Sequence, residues 1–388
     1  MPIETRARDA LDQPAMVRDE PAKMFVLSRY AEGRAFLSDN SLLRDADRAE
    51  PGAMVHAFKT SDPRRPGDRD CAMGWLDGPD HARVRGPIAK AFYRRVAAAR
   101  PAVQRIVDER LDRLAGRERC DLVADFAVPV PVDVIAHLFG VEPGALPHFR
   151  EWSEGLMKVF DPWRSEAESA AAGAAWEGFN TYLEAAVAER RHAPKDDLIS
   201  DLAAPGALDG ALSEAEIRVN CLNLLAGGNM TTADLITSAI WLLLTNPNPL
   251  EALRGDPTRI GAVVEEALRL EPPVEGTQRI LAEDRAVAGC PVRRSQVVAV
   301  SIGAANRDPR AFPDPDRFDI DRPRTPHLSF GGGAHMCIGA PLARLVAQVA
   351  VLAAIQRFPR LRLAEPESPP KWRSTPSFHG LESLMVEF

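Results

Sequence analysis

Residues 213–245 predict an unusually long helix. They read SEAEIRVNCLNLLAGGNMTTADLITSAIWLLLT and open with Ser213 and Glu216 at the spacing of a capping box. Apolar residues occupy most of the helix circumference, so no face of this helix is suited to water. The helix should therefore run through the core.

The remaining pattern is mostly helical. Residues 99–116 and 170–191 show apolar positions at helical spacing. Strand signals are few and lie late in the chain, at 292–306, near 360 and in the final LESLMVEF. Because no repeat or low-complexity linker divides the 388 residues, we predict one domain spanning 1–388, mainly α with a minor β-sheet region.

Composition excludes several classes of protein. The formal net charge is -7 and no Lys/Arg block is present, which argues against a nucleic-acid binder. The start has no apolar signal core, and the longest apolar runs are too short for a bilayer. We expect a soluble cytoplasmic protein without a membrane partner. The five cysteines are widely scattered and show no CxxC spacing, which argues against a zinc site or a disulfide framework. They are Cys71, Cys120, Cys221, Cys290 and Cys337.

The segment FGGGAHMCIG, residues 330–339, places one cysteine behind three successive glycines. Pro341 suits the first turn of a predicted helix, so Cys337 lies just before a helix N-terminus. Such a position lowers a thiol's pKa and favours the thiolate as a metal ligand. One thiolate cannot hold a structural zinc, whereas a haem iron uses a single axial thiolate. The alternative is a glycine-rich turn followed by a core cysteine.

The longer stretch FGGGAHMCIGAPLAR resembles the cysteine-ligand loop of the cytochrome P450 superfamily, Phe-x-x-Gly-x-x-x-Cys-x-Gly. The resemblance spans nearly the full length, from DGPDHARVRGP to GLESLMVEF. It implies the P450 fold, with haem b buried between the long central helix and the helix after the cysteine. It also implies that Cys337 is the proximal iron ligand and that neighbouring loop residues contact the haem: Phe330, Gly331, His335 and Gly339.

Two further segments resemble the family's contacts to the haem propionates, which are buried carboxylates that need cations. DGPDHARVRGPIAKAF, residues 77–92, places His81 and Arg85 on one helical face. Arg279 in PPVEGTQRILAED stands where the family has another propionate arginine. For His81 and Arg85 the alternative is a solvated basic helix face.

VVEEALRLEPP contains Glu266 and Arg269 at helical i,i+3 spacing. An exposed pair of this kind contributes little to stability. The segment resembles the family's Glu-x-x-Arg helix, in which the pair is buried and joined by a later arginine, best matched by Arg317 in FPDPDRFD. The resemblance implies that these three residues support the cysteine loop and are not catalytic.

Two adjacent glycines, Gly227 and Gly228, interrupt the long helix, although each costs roughly 1 kcal/mol relative to alanine. The resemblance implies that this small pair opens a groove for O2 above the iron. The family motif continues Gly-x-Asp/Glu-Thr, so Asn229 is the variable position and Thr231 orients water and oxygen. Met230 stands where the family has the acid, and methionine neither titrates nor donates a hydrogen bond.

Several interpretations of Met230 are open. Protons could arrive through Asn229, a water chain, the substrate, or Asp234, which lies on roughly the same helix face. The enzyme could instead be slow, or run a reaction that depends less on this relay. Met230 could also simply pack the helix.

The family's substrate contacts map to residues near 64–76, 155–175, 222–231, 274–278 and 377–381. Most candidate side chains there are apolar, which predicts a lipophilic substrate of moderate size, although each could be plain core. Glu275 would meet a basic or hydroxylated group or lie at the surface. The candidates are Met157, Phe160, Trp163, Leu224, Leu225, Gly228, Val274, Glu275 and Phe378.

The sequence holds no flavin or iron–sulfur motif, so we expect electrons from a separate ferredoxin and ferredoxin reductase. An acidic carrier would dock on Lys90, Arg94 and Arg95, unless these form a merely solvated turn. The resemblance implies a monooxygenase of secondary metabolism that uses O2 to hydroxylate or otherwise oxidise a small lipophilic molecule. The alternatives are the same fold running peroxide-driven oxidation, coupling or desaturation, or a haem protein that binds ligands without turnover.

Overall fold

The structure of the protein is a computed structural model that describes residues 14–57, 66–158, 164–204, 212–323, 325–373 and 378–388. Its helices are α1 (Tyr30–Leu37), α2 (Gly78–Ala98), α3 (Arg100–Asp112), α4 (Pro129–Phe139), α5 (Leu146–Met157), α6 (Glu166–His192), α7 (Leu198–Ala203), α8 (Glu214–Thr245), α9 (Pro247–Gly255), α10 (Ile260–Leu270), α11 (Ile302–Ala305) and α12 (Ala340–Arg357). Its strands are β1 (Met16–Asp19), β2 (Met24–Leu27), β3 (Arg119–Asp121), β4 (Gly276–Ile280), β5 (Arg285–Val287), β6 (Cys290–Val292), β7 (Val297–Ser301), β8 (Arg362–Leu363) and β9 (Met385–Glu387). The predicted class, mainly α with a minor sheet region, is confirmed.

Helix α8 confirms the long central helix predicted at residues 213–245. The Ser213 hydroxyl accepts the Glu216 backbone N–H at 3.2 Å, and the Glu216 carboxylate accepts the Ser213 N–H at 2.7 Å. This capping box satisfies backbone groups that the first turn leaves unpaired. Most residues of α8 are buried, and the helix packs against α4, α6, α10 and α12.

The largest sheet has the strand order β1-β2-β7-β4. Strand β7 confirms the strand predicted within 292–306, and the β8–β9 pair confirms the two late strand candidates. The early strands β1 and β2 were not predicted. Strand β2 runs parallel to β7, and β4 runs antiparallel to it, so residues from both halves of the chain form one sheet.

A backbone bridge fastens the segment after α1 to the edge of β4. Leu43 N–H donates to the Ile280 carbonyl at 2.9 Å, and Ile280 N–H donates back to Leu43 at 2.8 Å. Arg44 follows Leu43 in the segment after α1, and Arg279 precedes Ile280 on β4. Two arginines distant in sequence therefore lie at the same place in the fold.

Helix α12 is long and apolar enough, by length and composition alone, to cross a membrane. Half of it is buried inside the protein, where it packs against α3, α8 and α10. In this fold α12 is therefore a core helix, and its amino-terminal end carries the cysteine loop.

Candidate functional site

Cys337 lies between the short turn Gly333–His335 and the start of α12. Its backbone N–H donates to the Phe330 carbonyl at 2.9 Å, which closes the loop. Gly331 and Gly333 have φ values of 69° and 66°, a region that side-chain-bearing residues rarely adopt. These two glycines therefore determine the path of the backbone in front of the cysteine.

The thiol of Cys337 does not have the lowered pKa that its place before a helix predicts. Cys337 as a whole residue is exposed, but desolvation of its sulfur raises the thiol pKa. The N–H groups of Gly339 and Ala340 and the charges of Arg85 and Arg344 lower the pKa by less. The expectation was wrong because desolvation of the thiolate outweighs the helix N-terminus.

One face of the Phe330 ring is covered by an arginine. The guanidinium carbon of Arg344 lies 4.4 Å from the ring centroid. Glu265 on α10 accepts from Arg344 Nε at 2.6 Å and from Nη2 at 2.9 Å, and its carboxylate also lies 3.3 Å from His327 Nε2. Burial acts to raise the Glu265 pKa, but the bonds from His327 and Arg344 prevail and lower it to about 2.

Four basic side chains gather beside the cysteine loop: Arg44, His81, Arg279 and His335. The imidazole centroids of His81 and His335 are 4.1 Å apart, and His335 Nε2 lies 3.7 Å from an Asp77 oxygen. Burial lowers the pKa of Arg44 to about 10, and burial together with the charge of Arg44 lowers that of Arg279 to about 9. Neither arginine has a carboxylate ion pair among the described residues, so positive charge is in excess here.

His81 Nε2 is buried and has no hydrogen-bond partner within the described ranges. Burial, followed by the charges of His335 and Arg85, lowers the His81 pKa to about 4. Buried polar atoms in folded proteins normally have partners, so this nitrogen marks a place for a polar group. Arg85, one turn along α2, donates to the Met336 carbonyl and ties α2 to the cysteine loop.

Sequence reasoning missed Arg44, because SLLRDADRAE carries no recognisable spacing. Its Nη1 donates to the Thr277 hydroxyl at 3.1 Å and to the Gln278 carbonyl at 3.0 Å. These bonds hold the guanidinium against β4, on the strand that also carries Arg279. The place of Arg44 beside Arg279 follows only from the fold, through the bridge between Leu43 and Ile280 of β4.

The buried pair predicted on α10 has the expected geometry. Arg269 donates to the Glu266 carboxylate through two bonds of 2.8 Å, and both side chains are buried. The third arginine is Arg322, whose Nε donates to Glu266 at 3.0 Å. Arg317 was wrongly expected in this role. Its side chain is exposed, and only its carbonyl takes part, accepting from Arg269 at 3.1 Å and from Arg322 at 3.0 Å.

The two glycines of α8 face different surroundings. A Cβ at Gly228 would lie 2.6 Å from Cδ1 of Ile135, whereas a Cβ at Gly227 would meet nothing within 4 Å. Gly228 thus lets α4 approach α8, and of the two only Gly227 borders open space, contrary to the expectation for the pair. One turn on, the Thr231 hydroxyl donates to the Gly227 carbonyl at 2.8 Å. Gly227 and Thr231 define what we call the open face of α8.

Asn229 points away from the open face. Its side-chain amide donates to the hydroxyl of Ser153 on α5, and both residues are buried. This contact contradicts the idea that Asn229 supplies protons beside Thr231. Met230 is half-buried, next to the open face.

Asp234 lies one turn beyond Thr231 on the same side of α8 and is only 2% exposed. It forms an ion pair with Arg373 of the C-terminal segment, and Gly380 packs so closely that a Cβ there would touch both side chains. Burial raises the Asp234 pKa to about 6, although the charges of Arg373 and His379 lower it. Its carboxylate is therefore engaged with the C-terminal segment.

The candidate substrate residues of the two late loops meet each other. Val274 and Phe378 form a backbone bridge, and both are half-buried. Glu275 is not a free surface residue, because its carboxylate lies 3.4 Å from Nδ1 of the buried His379. The late loops thus place apolar side chains beside a buried acid–histidine contact.

The other substrate candidates divide into core residues and positions without a described side chain. Leu224 and Leu225 belong to the hydrophobic core, and Leu225 is 0% exposed, which favours packing over ligand contact. Met157 is the last residue of α5. Phe160 and Trp163 lie outside the described residues.

The three basic residues expected to dock an electron carrier, Lys90, Arg94 and Arg95, lie within α2, and the two arginines are paired with carboxylates. Arg95 pairs with Asp201 at 2.6 Å and also with Asp196, and Arg94 pairs with Asp201 at 2.5 Å. Lys90 is exposed. The prediction that Arg94 and Arg95 present free positive charge to a carrier is therefore wrong. Carboxylates in and beside α7 compensate both arginines.

Comparison with known proteins identifies the family. Residues 156–381 match the family model of Cytochrome P450. Cytochrome P450 107B1 of Saccharopolyspora erythraea is 39% identical over 98% of this chain and 95% of its own length. The chain is a cytochrome P450. The 6-deoxyerythronolide B hydroxylase of the same organism is 38% identical over 93% of this P450 and 89% of its own chain.

The fold of this P450 agrees with solved relatives. The crystal structure of the myxobacterial cytochrome P450 CYP267B1 in complex with myristic acid matches it with a TM-score of 0.87 and 36% identity. That match covers 99% of this P450 and 97% of the solved chain. The protein is thus an oxidoreductase of the P450 monooxygenase class, and the family implies a haem cofactor. The excess of cations around Arg44 and Arg279 and the unpartnered His81 nitrogen fit a group that bears two carboxylates.

Proposed function

We propose that this P450 binds haem b through Cys337 and uses O2 to hydroxylate or otherwise oxidise a small, largely lipophilic molecule of secondary metabolism. It acts as a single cytoplasmic domain spanning 1–388, with electrons from a separate ferredoxin and ferredoxin reductase. The observation that carries the proposal is the Cys337 thiol on a glycine loop beside Arg44 and Arg279, which form no ion pair with a carboxylate in the described part of the chain. A thiolate ligand and two propionates would complement that arrangement.

The residues around the cysteine have separate tasks in this proposal. Haem, when bound, supplies O2 binding and reductive activation beside its thiolate ligand. Arg44, Arg279, His81 and His335 hold the propionates, and Arg85 keeps α2 against the cysteine loop. Phe330, Gly331 and Gly339 shape the backbone around the sulfur.

The buried α10 pair supports the loop from behind. Arg269 donates to the carbonyls of Asn306 at 3.0 Å and Pro315 at 2.7 Å, which fixes the segment between β7 and the loop. Ser329, beside Phe330, donates to the Leu268 carbonyl at 2.6 Å. Helix α10 thereby anchors the residue that precedes the ligand loop.

On the open face of α8, Thr231 is the proposed catalytic residue. Its hydroxyl can donate and accept, so it can hold water and pass a proton. Gly227 leaves space beside it, and Met230 contributes packing but no proton. Apolar Val274 and Phe378 would contact a lipophilic substrate, in keeping with relatives that include a 6-deoxyerythronolide B hydroxylase and a P450 solved with myristic acid.

The test is the spectrum of the reduced, CO-bound protein after haem supplementation. The wild-type protein should show the red-shifted Soret band of thiolate ligation, and Cys337→Ala should lose it. Cys290→Ala, at a half-buried cysteine outside the loop, is the matched control and should keep the band. An unchanged spectrum in Cys337→Ala would refute the proposed ligation.

Peroxide-driven oxidation is a second candidate, and Met230 is the observation that favours it. Methionine occupies the acid position, Asn229 donates to Ser153, and the carboxylate one turn beyond Thr231, Asp234, is ion-paired with Arg373 through Oδ1. Substrate oxidation should be compared with ferredoxin and reductase or with hydrogen peroxide as the driver. Faster product formation with peroxide would favour this second function.

A further inference from the structure

A fixed charge sits against the ring of Phe330. Arg344, on the second turn of α12, lies 4.4 Å from the ring centroid, a distance at which a guanidinium is attracted to an aromatic face. Glu265 holds this guanidinium through bonds of 2.6 and 2.9 Å, so its plane cannot turn freely. We call Glu265 and Arg344 the loop charge pair.

The ring leads directly to the proposed ligand. The Phe330 carbonyl accepts the Cys337 N–H at 2.9 Å, so a displacement of Phe330 would also displace the backbone of Cys337. The imidazole of His327 lies 5.8 Å from the same ring, centroid to centroid, and its Nε2 lies 3.3 Å from the Glu265 carboxylate. The carboxylate is thus held by two bonds from Arg344 and lies beside His327, while the guanidinium covers a face of the ring.

We propose that the loop charge pair tunes the reduction potential of the haem through Phe330 and Cys337, with Arg344 and Glu265 as positioning residues of opposite effect. This inference rests on the proposed ligation by Cys337. Reduction of ferric haem by one electron would add negative charge at the iron and its proposed thiolate ligand. A nearby positive charge favours that step and a negative charge opposes it. Hydrogen bonds and charges around a ligating sulfur are known means of setting potentials.

The test measures midpoint potentials of the haem-loaded protein by spectroelectrochemical titration. Arg344→Gln should shift the potential to more negative values, and Glu265→Gln should shift it to more positive values. The double substitution should return it toward that of the wild type. Because Arg344 is 35% exposed, both shifts should shrink at high ionic strength.

Two further variants separate charge from structure. Arg344→Lys keeps the charge without the planar stacking and should give a smaller negative shift than Arg344→Gln. Arg357→Gln removes an arginine at the far end of the same helix, where it pairs with Asp112 at 2.9 Å, and should leave the potential unchanged. If Arg344 and Glu265 acted only by supporting the loop structure, both single substitutions should shift the midpoint potential in the same direction.

The outcomes are distinct for the two proposals. A wild-type protein without the thiolate Soret band would overturn both the ligation and this inference. A normal Soret band, combined with potentials that shift together or not at all in Arg344→Gln and Glu265→Gln, would overturn the inference alone. Opposite shifts that largely cancel in the double variant would establish it.

Discussion

Nε of Arg322 donates to Oε1 of Glu266 at 3.0 Å, and this bond joins α10 to the segment that precedes the cysteine loop. The same carboxylate accepts both bonds from Arg269, so one buried acid holds two arginines. Glu266 also accepts the Asp319 N–H at 3.1 Å. The segment 317–322 is therefore fastened to α10 by side chain and backbone together.

Removal of Arg322 should destabilise the protein more than removal of Arg317. We expect Arg322→Ala to cost about 1.5–3 kcal/mol, the range for a hydrogen bond to a charged group. Arg317→Ala should change the unfolding free energy by no more than about 0.5 kcal/mol, because its side chain is exposed and its carbonyl is retained. Urea unfolding measures both, and equal losses would contradict the assignment of Arg322.

Arg44 should matter for haem retention and little for the stability of the haem-free protein. Arg44→Gln should weaken haem binding by about 1.5–3 kcal/mol, or at least about tenfold. The haem-free protein should lose less stability, because the loss of the hydrogen bonds to Thr277 and Gln278 is partly offset by relief of the repulsion with Arg279. Haem transfer to a scavenging apoprotein measures the first effect. Arg48→Gln, an exposed arginine of the same segment, is the control, and equal haem loss from it would contradict the role of Arg44.

The adjacent glycines of α8 should respond differently to alanine. Gly227→Ala should stabilise the helix by up to about 1 kcal/mol, because the new methyl group meets open space. Gly228→Ala should lose this gain, since Ile135 must shift within a packed core at a cost of about 1–3 kcal/mol. Thermal unfolding compares the pair, and a more stable Gly228→Ala would show that α4 does not press on this position.

An acid at position 230 should change how reductant is used. Met230→Glu places a titratable group beside Thr231, so the product formed per reductant consumed should change. Met230→Leu preserves the apolar packing without a proton and should leave this ratio as it is. If Met230→Glu gives the same ratio as wild type, the residue at 230 does not limit proton delivery.

Asp234 should make stability fall as the pH rises through weakly acidic values. Its folded pKa of about 6 lies above the ordinary value of 3.8, so the unfolded carboxyl ionises first. Stability from this group is complete below pH 3.8 and declines up to about pH 6, by up to about 3 kcal/mol. Asp234→Asn lacks this decline. Urea unfolding of both proteins across that range should show their difference changing, and parallel curves would contradict the raised pKa.

Features set by local spacing were predictable from the sequence. The capping box at Ser213, the course of α8, the cysteine loop before α12 and the Glu266–Arg269 pair all depend on residues a few positions apart. Periodicity, caps and glycines act at that range, so the pattern discloses them.

Features that depend on tertiary contacts between distant segments were not predictable from the sequence. Arg44 acquires its place from the bridge between Leu43 and Ile280, and Arg322 replaces Arg317 because the chain turns back onto α10. The Cys337 pKa depends on how tightly other segments enclose the sulfur. Gly228 is distinguished from Gly227 only by the arrival of Ile135 from α4.

The bridge between Leu43 and Ile280 has a consequence for biosynthesis. It brings together two arginines proposed to hold the haem propionates, Arg44 from early in the sequence and Arg279 from its second half, while the proposed metal ligand Cys337 follows later still. A nascent chain that ends before Cys337 lacks the proposed iron ligand and cannot hold the complete proposed haem pocket. If Cys337 ligates haem as proposed, capture of the cofactor with full affinity follows synthesis of the segment that carries this cysteine.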